Sequence, residues 1–449
     1  MSGASADERY AEVTAEILSR APENDIDPRL DRVRTLLDLL GDPHRNFRVI
    51  HVTGTNGKTS TARMIDALMR VRGLRVGRYT SPHLQTVRER IVVDGEPISE
   101  ERFVEAYDDI RPYIEMADSM NDARLSFFEI LTVMAYAVFA DAPVDVAVVE
   151  VGLGGTWDAT NVVDGDVAVI TPIGIDHTDY LPDTIDGIAA EKAGIIKPES
   201  VTVSAQQPMP AAEELLRHAE EVGSTVVREG LEFGVTSREV AVGGQQIAVK
   251  GLTGTYEDLF LPLFGEHQAG NAAVAIAAVE AFSAAENSTG LDPVIVGEAL
   301  AEIDSPGRME VVRTSPTVIA DAAHNPAGMT ATAAAVKEAF TFSRLIGVLA
   351  IMADKDVEGI LEPLEPLLDE IVVTRNSSPR SLEPAHLSDI ARQIFGEDRV
   401  HEVARLDEAI DRAVGLAEAG GESSGVGVLV TGSVVTSGDA VHLLRGTEE

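Results

Sequence analysis

An apolar strand pattern runs straight into a glycine-rich turn and then a helix, and this arrangement restricts the possible fold more than any other feature of the chain. Phe47-Arg-Val-Ile-His-Val52 is short, apolar and β-branched, the pattern of a strand covered on both faces. Thr53-Gly-Thr-Asn-Gly-Lys-Thr-Ser60 follows. From Thr61 to Val71, Met64, Leu68 and Val71 recur at helical spacing, with Gly73 as a stop. Glycines at 54 and 57 let backbone amides turn inward around an anion at a helix start. Lys58 supplies a charge for β- and γ-phosphates, and Thr59 or Ser60 a hydroxyl for magnesium. We therefore read Gly54, Thr55, Asn56, Gly57, Lys58, Thr59 and Ser60 as a nucleotide-binding phosphate loop, shorter than the common GxxxxGK[ST] spacing. A plain strand-to-helix turn is the competing reading.

Asp145 to Val151 and Asp166 to Thr171 are too apolar for half-exposed strands and suit the same parallel sheet. Phe127 to Phe139 has helix length, Val201 to Leu263 reads as an antiparallel accessory sheet, and Asn271 to Ala284 is an alanine-rich helix. A second alternating series begins near Val311: strands at Thr317–Ala320, Leu345–Ile351, Glu370–Thr374 and Val426–Thr431, and helices at Ala327–Phe340 and Leu406–Ala419. The expected fold is α/β, with a doubly wound P-loop ATPase domain over residues 1–304 and a smaller Rossmann-like α/β domain over residues 305–449. No fixed-period repeat is present.

With 74 acidic against 36 basic side chains the net charge is −38, which excludes a basic footprint for nucleic acid. No cysteine is present, so thiolate metal sites and a cysteine nucleophile are excluded. The apolar stretch Ile130–Ala140 is shorter than the ~20 residues that cross a bilayer. We expect a cytoplasmic monomer with no membrane or nucleic-acid partner. Only six basic residues are lysines, and an acidic, lysine-poor surface remains hydrated in concentrated salt. A halophilic source is expected; transfer from molar salt to dilute buffer then unfolds the protein, and indifference to salt counts against that expectation.

Glu150 ends an apolar strand and precedes Gly152, Gly154 and Gly155, where open α/β sheets bind ligands, and its hard oxygen suits magnesium. His177 follows the next strand in the equivalent place. A helix cap and a surface donor are the competing readings. Lys192 persists in a helical stretch of a chain that uses lysine sparingly; a salt bridge to Glu191 or Asp186 is its plain explanation.

Ile50-His-Val-Thr-Gly-Thr-Asn-Gly-Lys-Thr-Ser-Thr61 and Ser81-Pro-His-Leu84 closely resemble the folylpolyglutamate synthase and dihydrofolate synthase family of Mur-type ATP-dependent amide ligases. So do Ser126-Phe-Phe-Glu129, Glu150-Val-Gly-Leu-Gly-Gly155, Asp158-Ala-Thr-Asn161, Gly174-Ile-Asp-His-Thr178, Glu191 to Pro198, Pro306-Gly-Arg308 and Asp321-Ala-Ala-His-Asn-Pro326. The resemblance runs nearly end to end. It implies ATP and magnesium, with Ser81, Glu150 and His177 as metal ligands and Lys192 carbamylated to hold a second ion; Lys58, Lys192 and His177 form the catalytic set. It further assigns Arg308 to the γ-phosphate, Asp321 to ribose, Asn271 to adenine and His324 to the amino substrate or ribose; we read Lys355 as an interdomain electrostatic contact, with a plain surface loop as the competing reading. Dihydropteroate or folate would approach Ser126, Phe127, Phe128, Glu129, Trp157, Asp158 and Ala159, and also Ile26-Asp27, while L-glutamate is the second substrate. One departure stands out. Thr156-Trp157 replaces the family's usual arginine and small apolar residue, which removes a cation beside the pterin turn and offers a ring for stacking. The implied function is glutamate ligation to dihydropteroate, folates or both; a Mur-type ligase for another carboxylate and a nucleotide-binding ATPase module are the alternatives.

Overall fold

Two sheets of mostly parallel strands organise the chain in the computed structural model, which describes residues 6–22, 25, 27–284, 290–419 and 425–446. Ile26 lies outside the described residues. The chain divides into two units, one comprising Met1–Ser237, Ile247–Leu259 and Gly270–Ile303, the other Arg238–Gln246, Phe260–Ala269 and Asp304–Glu449.

In the first unit the described residues form an eight-stranded sheet from β1 (Arg48–Thr53), β2 (Val76–Tyr79), β3 (Ile91–Val93), β4 (Glu96–Pro97), β5 (Val146–Glu150), β6 (Val167–Ile170), β7 (Val201–Ser204) and β8 (Thr225–Arg228), in the order β4-β3-β2-β5-β1-β6-β7-β8. Only the β2–β3 and β3–β4 pairs are antiparallel. β1 lies between β5 and β6, with Ile50 opposite Val148 and Val167, and is buried from Val49 onward. Helices α1 (Ala6–Leu18), α2 (Asp31–Leu39), α3 (Lys58–Val71), α4 (Glu100–Met120) and α5 (Phe127–Asp141) follow or precede these strands. Val13, Leu36, Phe103 and Ile130 from α1, α2, α4 and α5 share one core with Ala147 and Val149. α6 (Ile185–Ala193) and α7 (Met209–Val222) pack with Ala168 and Ile170.

Residues 201–263 do not form the single antiparallel sheet expected from the sequence. β7 and β8 extend the main sheet in parallel, Val201 opposite Val167 and Thr225, and α7 crosses between them. Only Gly234–Ala241, Gly244–Lys250 and Thr255–Leu261 form a separate three-stranded sheet. Short β-branched runs do not reveal strand direction. The missed signal was Ala211, Leu215 and Ala219, buried at four-residue spacing between Pro208 and Gly223, which together mark a crossover helix.

In the second unit the described strands order as Glu310–Thr314, Thr317–Ala320, Val426–Thr431, Arg344–Leu349, Glu370–Val373 and Val400–Glu402 across one sheet. Adjacent residues divide cleanly between two cores. Val318, Ile346, Val372 and Val428 join Ala409 and Ala413 of the helix Leu406–Glu418. Ile319, Leu345, Val373 and Leu429 join Met329 and Leu387 from the helices Pro326–Ala339 and Pro384–Phe395. Cover on both faces explains why these strands read as continuous apolar runs.

His51 is fully buried on β1, with Nε2 paired to Thr160 Oγ1 at 2.9 Å, and burial pulls its pKa down to about 3. The folded state therefore refuses the proton that the unfolded chain accepts below about 6.5. Stability from this group is intact above that pH and is lost as pH falls toward 3, about 2 kcal/mol by pH 5. Urea midpoints at pH 7 and pH 5 should show wild type losing that much more than His51→Asn; equal losses would overturn the assignment.

Candidate active site

α3 begins at Lys58 rather than at Thr61, so the loop's lysine and hydroxyls form its first turn. Gly57 caps it at φ +88°, and a Cβ there would lie 2.5 Å from Asn271 Oδ1, so the loop approaches Asn271 as only glycine permits. At Gly54, φ +147°, a Cβ would fall 1.9 Å from Thr171 Oγ1. Thr55 N donates to Pro172 O at 2.9 Å, and Thr55 Oγ1 donates to Gly174 O and accepts from Gly174 N, each at 3.0 Å. The phosphate loop is thereby fastened to the loop leaving β6. Lys58 Nζ donates to Gly54 O and Thr55 O, both at 3.2 Å.

Glu150, 1% exposed, stands at the carboxyl end of β5 opposite Val52, and Thr59 Oγ1 donates to its Oε1 at 2.9 Å. Ser81 is buried just past β2, whose Tyr79 lies opposite Val149, so Ser81 and Glu150 occupy neighbouring strand ends. His177 is half-buried with φ +55° in the loop after β6. Asp176 Oδ1 accepts from His177 N at 2.8 Å, and its Oδ2 lies 3.8 Å from His177 Nε2. Asp176 was missed in the sequence, where its only signal was its place directly before His177. Lys192 is 4% exposed, and its Nζ donates to Gly54 O at 2.9 Å rather than pairing with Glu191 or Asp186. Burial, and then the Lys58 ammonium, bring its pKa down to about 7.

The turn after β5 rests on the lysine's helix. A Cβ on Gly155 would stand 2.6 Å from Glu191 O and 2.9 Å from Lys192 O, and Thr156 N donates to Glu191 O at 3.0 Å. Asp158 is buried, its carboxylate accepting from Leu153 N and Thr160 N at 2.9 Å and Thr160 Oγ1 at 2.5 Å; burial raises its pKa despite these donors. Asp158 thus shapes the turn from inside, beside buried Ala159. Trp157 is half-buried, packed against the core of α6 and β6 and near Gly154.

Ser126 caps α5 in a reciprocal box: its Oγ accepts from Glu129 N at 3.3 Å while Ser126 N donates to Glu129 Oε2 at 2.7 Å. Glu129 and Phe127 are buried, Phe127 beneath the Arg90 guanidinium at 5.0 Å from its centroid. Phe128 remains half-buried and lies against Gly152, where a Cβ would meet its ring at 2.5 Å. Phe128 and Trp157 are therefore the aromatic faces that the two sequence motifs leave partly accessible.

In the second unit, Ala322 N donates to Gly307 O at 2.8 Å and Met309 N to Asp321 Oδ2 at 3.0 Å, which brings Arg308 and Asp321 together. Asp321 Oδ1 accepts from Ala323 N and Thr332 Oγ1. His324 Nδ1 pairs with Ala322 O at 2.9 Å, which fixes the ring's orientation beside Asp321.

The Mur ligase middle domain model matches residues 52–279, and the Mur ligase, glutamate ligase domain model matches residues 307–434. A dihydrofolate synthase/folylpolyglutamate synthase of Mycobacterium tuberculosis is 50% identical over 442 residues, 94% of this chain and 91% of that protein. The protein of the same name in Bacillus subtilis is 35% identical over 83% of this chain and 87% of its own. The solved structure of Mycobacterium tuberculosis folylpolyglutamate synthase complexed with ADP is similar at a TM-score of 0.94 and 48% identity, covering 98% of this chain and 99% of that one. With both domain models matched in order and such identity sustained along its length, the chain belongs to the dihydrofolate synthase/folylpolyglutamate synthase group of the Mur ligases, and it is an ATP-dependent amide-forming ligase.

Proposed function

We propose that this enzyme couples L-glutamate to dihydropteroate, to folates, or to both. The acceptor's carboxylate oxygen bonds to the γ-phosphorus of ATP as ADP leaves, giving an acyl phosphate. Glutamate's α-amine then bonds to the acyl carbon, phosphate departs and the amine proton is lost to solvent. One observation carries the reading: Lys58 and Lys192 meet at the same carbonyl, Gly54 O, while Thr59 ties that loop to Glu150.

The donors suit magnesium, because Glu150 presents a hard, buried carboxylate beside the phosphate loop's own hydroxyl. Ser81, Glu150 and His177 would hold one ion and a carbamylated Lys192 would help to hold a second. Magnesium, when bound, neutralises charge on the transferring phosphoryl group. Lys58 adds fixed positive charge at the same oxygens. Gly54, Thr55, Asn56, Gly57, Thr59 and Ser60 enclose the phosphates, with Asn271 at adenine, Arg308 at the γ-phosphate and Asp321 at ribose. On the acceptor side, Phe128 and Trp157 offer ring surfaces, while buried Glu129 and Asp158 fix the backbone that carries them.

Phosphate release should be measured with glutamate plus dihydropteroate, glutamate plus tetrahydrofolate, and glutamate alone. A strict demand for either acceptor is the expected result. Hydrolysis indifferent to acceptor would favour an ATPase module, and silence with both acceptors would favour a different carboxylate. We further propose a cytoplasmic, monomeric enzyme adapted to high salt; among the described residues no helix is long and apolar enough to cross a membrane.

A further inference from the structure

The segment entering α2 is tied to the start of α5 by one buried cation. Arg32 is 4% exposed, and its Nε and Nη2 donate to Glu129 Oε1 at 3.1 and 3.0 Å. Its Nη1 donates to Asp27 Oδ2 at 2.7 Å. Glu129 has its other oxygen on Ser126 N, so both carboxylate oxygens are engaged with protein. Phe127 N adds a backbone bond to Ala21 O at 3.0 Å. Asp27 differs: half of its side chain remains accessible.

A guanidinium is the only side chain that fits this junction. Its planar fork reaches two carboxylates on two segments at once, whereas an ammonium on a flexible stem holds one point in space. Burying the Arg32–Glu129 ion pair is a poor way to gain stability, since desolvation offsets most of the attraction. An apolar residue would join α2 to α5 at less cost. What the pair supplies instead is position: it sets the distance between Asp27 and the first turn of α5, and hence the placement of Phe128, which the ring's contact with Gly152 relates to the turn after β5.

We infer that Arg32 is a positioning residue for the acceptor site, holding the accessible Asp27 carboxylate in register with the α5 turn that bears Phe128. The inference rests on the reading that the pteridine acid binds against residues 126–129.

Arg32→Lys keeps the charge and loses the fork. Initial rates of phosphate release should then show KM for dihydropteroate raised about tenfold, with kcat and KM for ATP within about twofold of wild type and an unchanged melting temperature. A merely structural arginine would lower melting temperature and disturb all three constants together, which would overturn the proposal, as would an unchanged acceptor KM. Should Arg32→Lys fail to fold, Asp27→Asn alters only the accessible arm. It is expected to raise the acceptor KM at unchanged kcat, and an unchanged KM overturns the idea. The double variant should be no worse than the poorer single one, because both break one linkage; additive losses would mean independent roles and would also overturn it. Wild-type enzyme that releases phosphate regardless of acceptor would instead remove the acceptor reading itself, and Arg32's role with it.

Discussion

Lys58→Ala is expected to abolish turnover while the protein remains folded. Lys58 opens α3, and the packing of that helix depends on Met64, Ile65 and Leu68, which the substitution does not touch. No second lysine lies in the loop. Lys192 shares the Gly54 carbonyl, yet it is sealed beneath the turn after β5 and committed to that bond, so it is poorly placed to replace the Lys58 ammonium. Loss of a preorganised charge of this kind costs ~10² or more in rate. Phosphate release with acceptor and glutamate, set beside thermal unfolding, measures both halves of the expectation. Near-normal release would sink the phosphate-loop assignment.

Lys192→Ala should be nearly as damaging, with a response that separates two roles for the residue. If Lys192 carries a carbamate, its working group is an anionic oxygen, and acetate or another short carboxylate added to the alanine variant should restore part of the rate. If it works as a cation, small amines should do so instead. The first outcome is the expected one: among the described residues Lys192 makes no ion pair, and its hydrogen bond goes to a backbone carbonyl. Rescue by amines and not by carboxylates would remove the carbamate, as would a density map with magnesium and nucleotide bound that showed a bare ammonium at Lys192.

The strand, loop and helix around Gly54–Ser60 were legible because the pattern is local: covered strands read as apolar runs, and glycine marks where amides turn inward. The same locality produced the error at β7 and β8, where pairing partners lie far off in sequence and four-residue runs carry no direction. Motif membership also left orientation unread. Glu129 and Asp158 stand in motifs associated with substrate, yet their carboxylates face inward onto Ser126, Arg32, Leu153 and Thr160. The bonds from Thr59 to Glu150 and from Lys192 to Gly54 span 91 and 138 residues. Arg32 carried no signal at all, because an arginine on a helix facing a core looks the same as one facing water until its partners are known.

The contact of Gly155 with the last turn of α6 also bears on how such an enzyme can change over generations. Any side chain at 155 would press on the backbone of Glu191 and Lys192, and at Gly154, with φ +71°, a side chain would meet both strain and the Glu191 stem at 3.1 Å. If the acceptor binds at this turn as proposed, drift in acceptor preference is barred from its middle, since a substitution there would displace Lys192 along with the turn. The freedom lies one step further on, at exposed Thr156 and half-buried Trp157. Both still touch α6, Thr156 through its bonds to Glu191 O and Trp157 through the core it shares with Ile188 and Ala189, so exchanges there are tolerated only where those contacts are kept.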